Sequence, residues 1–570
     1  MEDTATREAV PVQATPASGD QPRGRLTRLG EWPFRVLLTV ALGVGLVGAT
    51  RVWWTALGMW KDEAAIANNL RRSFLQLAGH LTYDQVAPVG WLWLQKAMIE
   101  VVGPGDRVLR FLPFVGTLTV LCLGTLIARR AIGRFGAVAV ALLLSFSPVL
   151  LVYAGETKQY AWEAGVALAL IVLAAWAHDA IRWAGWPALR ARPWLALAWI
   201  AATGVAVFVS FSAILVMFAV TAALVGLHAL RRAWPDALFQ AALSAPAALT
   251  AVFLVWWRHR FSFYPNQTDY FRGGTAPEGA GVREYLDWFP YMWSKFIEAP
   301  MSWRHGALVL ALMVVGLVSL WLRSRLWAAM LLMVFLAAVG GGAVRGFPVV
   351  SRPAIYLIAP TVVLVVAAVD GLARASVALY RRGRAHPWQR IPAIAAALAA
   401  VAAAVGIGLV AGPSAGTARA EIAQPLGKEA LRDALREVSD RVQPGDVVLV
   451  YYFGNAVTTW YKPYLNLGPD VHNVRLCQPD SPKSKQDELY AKLSGAKRVF
   501  YVEGMLNATT RRDNFAESLR ALDAMGTIVE QHDRTNTRIG PHSWALVELT
   551  QVPPSPLPAG PDDPCLEMYQ

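Results

Sequence analysis

Four short polar stretches carry the residues whose types and spacing suit chemistry. The first is Trp60-Lys61-Asp62-Glu63, where two adjacent carboxylates follow a hydrophobic run. Such a pair can deprotonate a hydroxyl or ligate a cation. A structural reading competes with this. Asp62 stands where a helix begins, Asp is a favoured N-cap, and Glu63 suits the positive end of a helix dipole. The second stretch runs from Tyr83 to Pro88. There Asp84 and Gln85 precede a proline that opens a helix, so capping again competes with function. The third is Glu156-Thr157-Lys158-Gln159-Tyr160, a dense polar patch in a short connection between apolar runs. Lys158 can neutralise a phosphate, or it can serve as an ordinary interfacial anchor. The fourth is a set of arginines, Arg107, Arg110 and Arg352, the last following Arg345 and Ser351.

The elements that must position these residues are membrane helices. The chain is 55% hydrophobic over 570 residues, and uninterrupted apolar runs of ~18 residues or more read as spans. About eleven runs are expected, near 33–52, 108–128, 136–153, 161–181, 194–209, 211–230, 238–257, 306–322, 326–344, 353–373 and 391–411. The first reads as an uncleaved span rather than a signal peptide. Basic clusters follow every second run: Arg129, Arg130 and Arg134; Arg182, Arg190 and Arg192; Arg231 and Arg232; Arg323 and Arg325; and Arg381, Arg382, Arg384 and Arg390. One orientation satisfies all of them, with the N-terminus in the cytoplasm and the C-terminus outside. The alternation requires a break near Ser210–Ser212. The net charge of +13 lies in these clusters and not on one continuous face, which argues against nucleic acid as a partner. Arg110 and Arg352 fall on the outer side, against the charge rule, and are therefore better phosphate-binding candidates than any inner arginine.

This topology divides the chain into a polar, disordered cytoplasmic N-terminus (1–30), a membrane domain (31–411) with large outer loops at 53–107 and 258–304, and an extracytoplasmic tail (412–570). Ile66, Leu70, Phe74, Leu77 and Leu81 predict a helix in the first loop, and Pro88 opens another through Trp91, Leu94 and Met98. In the second loop Leu286, Phe289, Trp293 and Phe296 form a stripe. It suits an interfacial helix or one packed on the spans. The tail predicts a small α/β domain: a helix near 421–440, a turn at Pro444-Gly445-Asp446, and strands near 447–452, 474–476, 498–502, 527–530 and 543–549. It has no Gly-rich phosphate loop, metal-ligand spacing or nucleophile motif, which favours a structural or substrate-docking role. Cys122 is read as a core thiol. Cys477 and Cys565 both lie in the tail, where a disulfide is allowed if the tail is outside.

Taken in order, the Asp62-Glu63 pair, Asp84-Gln85 with Pro88, Arg107–Pro113 (RVLRFLP) and Glu156–Tyr160 (ETKQY) resemble the GT-C superfamily of membrane glycosyltransferases. The similarity is to the branch of protein O-mannosyltransferases and lipid A aminoarabinose transferases. It covers residues 53–170 and continues more loosely to 411, through Ser351-Arg352 and Pro360. The resemblance implies a GT-C-like helical domain in the inner (plasma) membrane. It also implies inverting transfer of a sugar from a polyprenyl-phosphate donor to a glycan, lipid or protein acceptor outside the cytoplasm. Asp62 would be the base, Glu63 its partner in the acidic pair, and Asp84 an orienting group for acceptor or base. Lys158, with Arg110 or Arg352, would hold the donor phosphate. Gln85, Glu156 and Tyr160 would line the substrate. Metal dependence varies across the superfamily, so a divalent cation stays open as a cofactor. One departure is Gln85-Val86-Ala87, where the aminoarabinose branch commonly has a lysine before the proline.

Two other readings stand beside it. A flippase or transporter of lipid-linked sugars would need charge at mid-membrane depth, and only Asp370, near the inner end of its span, comes close. An oligosaccharide ligase would use a lipid diphosphate donor.

Overall fold

In a computed structural model of the chain, residues 23–180, 187, 191–261, 271, 273–382, 387–476, 489–504, 508–534, 540–552 and 566–568 are described. Cys477, Cys565 and residues 1–22 of the expected disordered segment lie outside them.

The chain is a polytopic helical protein. Among the described residues nine helices are long and apolar enough to cross a membrane: Trp32–Thr55, Phe111–Ala131, Tyr160–Asp179, Ser212–Leu230, Trp234–Trp257, Gly306–Arg323, Arg325–Ala343, Arg352–Arg382 and Ile391–Ala423. A bent pair, Arg134–Ser145 and Pro148–Ala154, turns by 60° and makes a tenth crossing if the two halves form one span. Pro148 lacks an amide hydrogen and cannot continue the preceding helix, so the break falls there. The run expected at 194–209 is the shorter apolar helix Pro193–Val209, so the expected eleven become nine or ten full crossings and one short helix. The break near Ser210 is present. Ser210 is extended, and the next helix starts at Ser212, whose N–H donates to Glu163 at 3.2 Å.

Small residues let the helices approach closely. A Cβ on Gly116 would lie 2.5 Å from the Ala161 carbonyl oxygen, so Phe111–Ala131 packs directly on Tyr160–Ala180. The helix Arg352–Arg382 runs through the middle of the bundle, buried from Pro353 to Ala368. It carries Arg352 at its first residue. Cys122 is exposed on its helix, not in the core as expected, because the helix turns its Gly116, Val120 and Gly124 face inward.

The first long loop differs from expectation in one respect. The Ile66–Leu81 stripe is not one helix. Lys61–Asn69 ends after two asparagines, which compete for the backbone, and a separate turn, Phe74–Leu77, is capped by Ser73. The second loop helix is Val89–Val102, with Pro88 at its N-cap. In the second long loop, Val282–Glu298 buries Trp288, Met292 and Phe296 and leaves Leu286 and Phe289 exposed, so its apolar stripe is divided between packing and surface.

Among the described residues the tail holds one six-stranded sheet. Its strands are β1 (Val447–Tyr451), β2 (Val471–Leu476), β3 (Arg498–Glu503), β4 (Gly526–Arg534), β5 (His542–Leu549) and β6 (Leu566–Met568), in the order β4-β5-β3-β1-β2-β6. β1 pairs in parallel with β2 and β3, and the remaining pairs are antiparallel. All five residues of β1, VVLVY, are buried, the continuous apolar run of a strand covered on both faces. The helix expected at 421–440 is instead three pieces. The last membrane helix runs through Ala423, a linker follows, and the short helix Leu431–Ser439 begins. Leu431, Ala434, Leu435 and Val438 form its buried face, the i, i+3, i+4, i+7 pattern.

The tail and the first loop share a core. Leu431, Leu435, Val457 and Trp460 pack with Met59, Ala64, Ile66 and Leu70. Polar contacts fix the register: Asn68 Nδ2 donates to the Ala456 carbonyl at 2.7 Å, and Arg71 Nη2 to the Trp460 carbonyl at 2.8 Å. Arg432 Nη1 and the Tyr461 hydroxyl both donate to Asp106, at 2.8 and 3.0 Å.

Candidate active site

The helix that carries the acidic pair starts at Lys61, and its N-cap is Trp60. Asp62 is therefore inside the first turn and caps nothing. Glu63 faces inward and is buried. Its carboxylate takes a two-pronged contact from Arg110, Nε to Oε1 at 2.9 Å and Nη2 to Oε2 at 2.8 Å. The Thr157 N–H adds 2.6 Å to Oε1. Arg110 Nη1 donates to the Leu57 carbonyl at 2.7 Å, so every nitrogen of that guanidinium is bonded within the protein. Burial works against the charged guanidinium, but Glu63 outweighs it and raises its pKa. Two expected site residues thus make a buried joint between the first loop, the second span and the 155–159 turn. The resemblance had implied Glu63 as the partner of Asp62 in the acidic pair and Arg110 as a holder of the donor phosphate.

Asp62 points the other way and keeps 23% of its side chain exposed. Arg352 Nη1 donates to Asp62 Oδ2 at 3.0 Å, and Lys158 Nζ lies 3.7 Å from the same oxygen. Burial would raise the Asp62 pKa, but Lys158 and Arg352 prevail and hold it below the ordinary value. Lys158 also donates to Gln85 Oε1 at 2.7 Å, and Gln85 Nε2 donates to the Tyr83 carbonyl at 2.9 Å. Burial pushes the Lys158 ammonium down to about 8, against the pull of Asp62. Arg352 is set by an uncommon backbone. Ser351 has φ +56°, and its N–H donates to the Ala299 carbonyl at 2.7 Å. A non-glycine residue there is strained, and such strain persists where surrounding structure over-determines it.

The other expected residues are distributed unevenly. Glu156 is buried, pairs with Lys428 at 2.5 Å, and has its pKa raised by burial. Tyr160 opens its helix and packs edge-on against Tyr153, with centroids 5.6 Å apart. Asp84 is exposed, in a left-handed turn with Tyr83, and neither caps the Val89–Val102 helix nor reaches the cluster. Among the described residues no group of three or more His, Cys, Asp or Glu could hold a metal ion.

Sequence reasoning missed Lys428 and Glu429, because they lie in a linker with no periodicity to mark them. Glu429 Oε2 accepts the Lys61 N–H at 3.0 Å, and burial pushes this carboxyl up to about 7. An acid raised in the folded state binds more protons than in the unfolded chain, so stability falls as pH rises between the two pKa values. Docking of the linker should weaken from about pH 4.5 to about 7 and level off above. Protease cleavage within 424–430 across that range reads it out. Glu429→Gln should flatten the dependence; an unchanged slope in the variant would assign it elsewhere.

No family model matches the sequence, and no curated protein matches it. Among solved structures, the chain is similar to a crystal structure of ArnT from Cupriavidus metallidurans bound to undecaprenyl phosphate, at 16% identity, covering 90% of this chain and 98% of that one, with a TM-score of 0.47. It is also similar to the apo state of that protein, at 16% identity, 91% and 98% coverage and a TM-score of 0.44. Neither likeness assigns a role to any residue.

Proposed function

We propose that the chain is a membrane glycosyltransferase that moves a sugar from a polyprenyl-phosphate donor to a hydroxyl of an extracytoplasmic acceptor, with inversion at the anomeric carbon. The observation that carries this reading is the juxtaposition of one partly exposed carboxylate, Asp62, with two cations, Lys158 and Arg352. They come from three separate parts of the chain.

The three groups divide the reaction between them. The acceptor oxygen attacks the anomeric carbon, and its proton passes to the Asp62 carboxylate. The bond from that carbon to the phosphate oxygen breaks, and its electron pair leaves with the polyprenyl phosphate. Lys158 and Arg352 stabilise the charge that develops there. A carboxylate held by two cations is a weak base. A phosphate arriving on Lys158 and Arg352 draws them from Asp62 and restores its basicity, so donor binding prepares the base. Gln85 keeps the Lys158 ammonium in place. Glu63 and Arg110 act on the scaffold, and Asp84 has no part in the transfer step.

The direct test supplies radiolabelled polyprenyl-phosphate sugars, one at a time, to membranes containing the chain. At least one donor should lose its label to an acceptor and leave polyprenyl phosphate. If no donor is consumed above the level of membranes lacking the chain, the reading fails.

The pH dependence is a second expectation. Lys158 must be charged to hold the phosphate, and its pKa of about 8 lies close to physiological pH. A sugar-bearing donor is a phosphodiester without a titration in this range. Its affinity should therefore fall above pH 8 by up to about tenfold per unit. Lys158→Arg should remove the fall, since guanidinium stays charged. A donor affinity that is flat to pH 10 in the unaltered protein would remove Lys158 from the phosphate.

A further inference from the structure

The segment 424–431, the linker and the first residue of the next helix, meets three glycines on the tail side. A Cβ on Gly454 would lie 2.5 Å from the Leu431 side chain, and one on Gly504 2.9 Å from Leu431 Cβ. A Cβ on Gly540 would lie 2.9 Å from the Glu429 carbonyl carbon and 3.0 Å from the Gly427 carbonyl oxygen. Gly454 follows β1 and Gly504 follows β3. These parallel neighbours send the chain to opposite sides of the sheet, β1 onward to β2 and β3 onward to β4. The crevice beyond the carboxyl ends of such strands is where open α/β sheets usually bind a ligand. Here Leu431 fills it. The tail spends its ligand crevice on gripping its own chain, and the gripped segment carries Lys428.

On its other side the segment meets the site. Lys428 Nζ lies 2.5 Å from Glu156 Oε1, 4.4 Å from the Trp60 ring and 5.6 Å from the Tyr153 ring. Arg352 packs on the same Trp60 at 5.4 Å while reaching Asp62. One indole therefore joins a tail cation to the Asp62–Lys158–Arg352 cluster. Lys428 keeps 32% of its side chain exposed. It lines a cleft with Trp60, Gly155 and Glu156, and the buried second oxygen of Glu156, Oε2, has no hydrogen-bond partner there.

We infer that Lys428 is a phosphate-binding residue of the donor site, supplied by the tail, and that the tail's sheet serves to hold it there. This rests on the donor reading above. The ammonium is shared between Glu156 and a phosphate oxygen when the donor is present, and no covalent bond changes. The tail then has a defined task.

The test measures binding of undecaprenyl phosphate, and of the uncharged undecaprenol, to the full-length protein in lipid nanodiscs. The unaltered protein should prefer the phosphate. Lys428→Gln should weaken phosphate binding about tenfold, the loss of one charge-assisted hydrogen bond, and leave undecaprenol binding unchanged. Lys428→Arg should retain the preference. Because Lys428→Gln strands a buried carboxylate, the pair Lys428→Gln with Glu156→Gln provides a second variant, and it should show the same tenfold loss. If either glutamine variant binds the phosphate as the unaltered protein does, the inference is overturned and the donor reading survives. If the unaltered protein does not distinguish phosphate from alcohol, the donor reading fails and the inference falls with it.

Discussion

Glu63→Ala should lower the stability of the protein by about 3–5 kcal/mol, the usual cost of removing one partner from a buried ion pair. Arg110 keeps its charge under all ordinary conditions. The variant therefore leaves a guanidinium that is only 3% exposed without its counter-ion. The lost contacts include the two bonds from Arg110 and the one from the Thr157 N–H, so three chain segments come apart at one point. Thermal unfolding in detergent reads the loss as a drop in midpoint. Replacing both partners by apolar residues, Glu63→Leu with Arg110→Met, removes the stranded charge and should recover most of the stability. A double variant as unstable as the single one would mean that the hydrogen bond from Thr157, and not the ion pair, holds the joint. Transfer should fall with the single variant too, because the same joint sets the helix that presents Asp62.

The membrane helices were legible because apolar runs obey a simple rule of length. Even the subtle break near Ser210 followed from the alternation of arginines. The strands of the tail were legible for a similar reason: β1, β3 and β5 are apolar runs bounded by turns. The candidate residues were legible as a set of segments, but their contacts were not. Asp62 and Glu63 are adjacent in sequence, yet a helix places neighbours about 100° apart. One faces Arg110 in the interior and the other faces Arg352. Which carboxylate stays accessible depends on the rotation of that helix, and the rotation is set by Arg110 and Thr157, far off in the chain. The Ile66–Leu81 stripe misled because Phe74 and Leu77 continue the helical spacing by coincidence across a turn. Lys428 and Glu429 were invisible because nothing local marks a linker residue that reaches a distant cluster.

Asp62→Asn should reduce transfer by ~10²–10⁴-fold, the range expected for loss of a general base. The substitution is nearly isosteric, and an amide oxygen can still accept from Arg352. Helix initiation is not at risk, since Trp60 and not Asp62 is the N-cap. Removing the carboxylate also frees Lys158 and Arg352 from their anion, so donor affinity should hold or tighten. That pair of effects, chemistry lost and binding kept, separates a base from a structural residue, whose loss would weaken both. The deciding measurement is therefore donor binding and sugar transfer, made side by side on unaltered protein and Asp62→Asn with a donor the unaltered protein consumes. The account predicts unchanged or tighter donor binding with transfer reduced at least a hundredfold. Transfer within a few-fold of the unaltered rate, at equal donor occupancy, would contradict it.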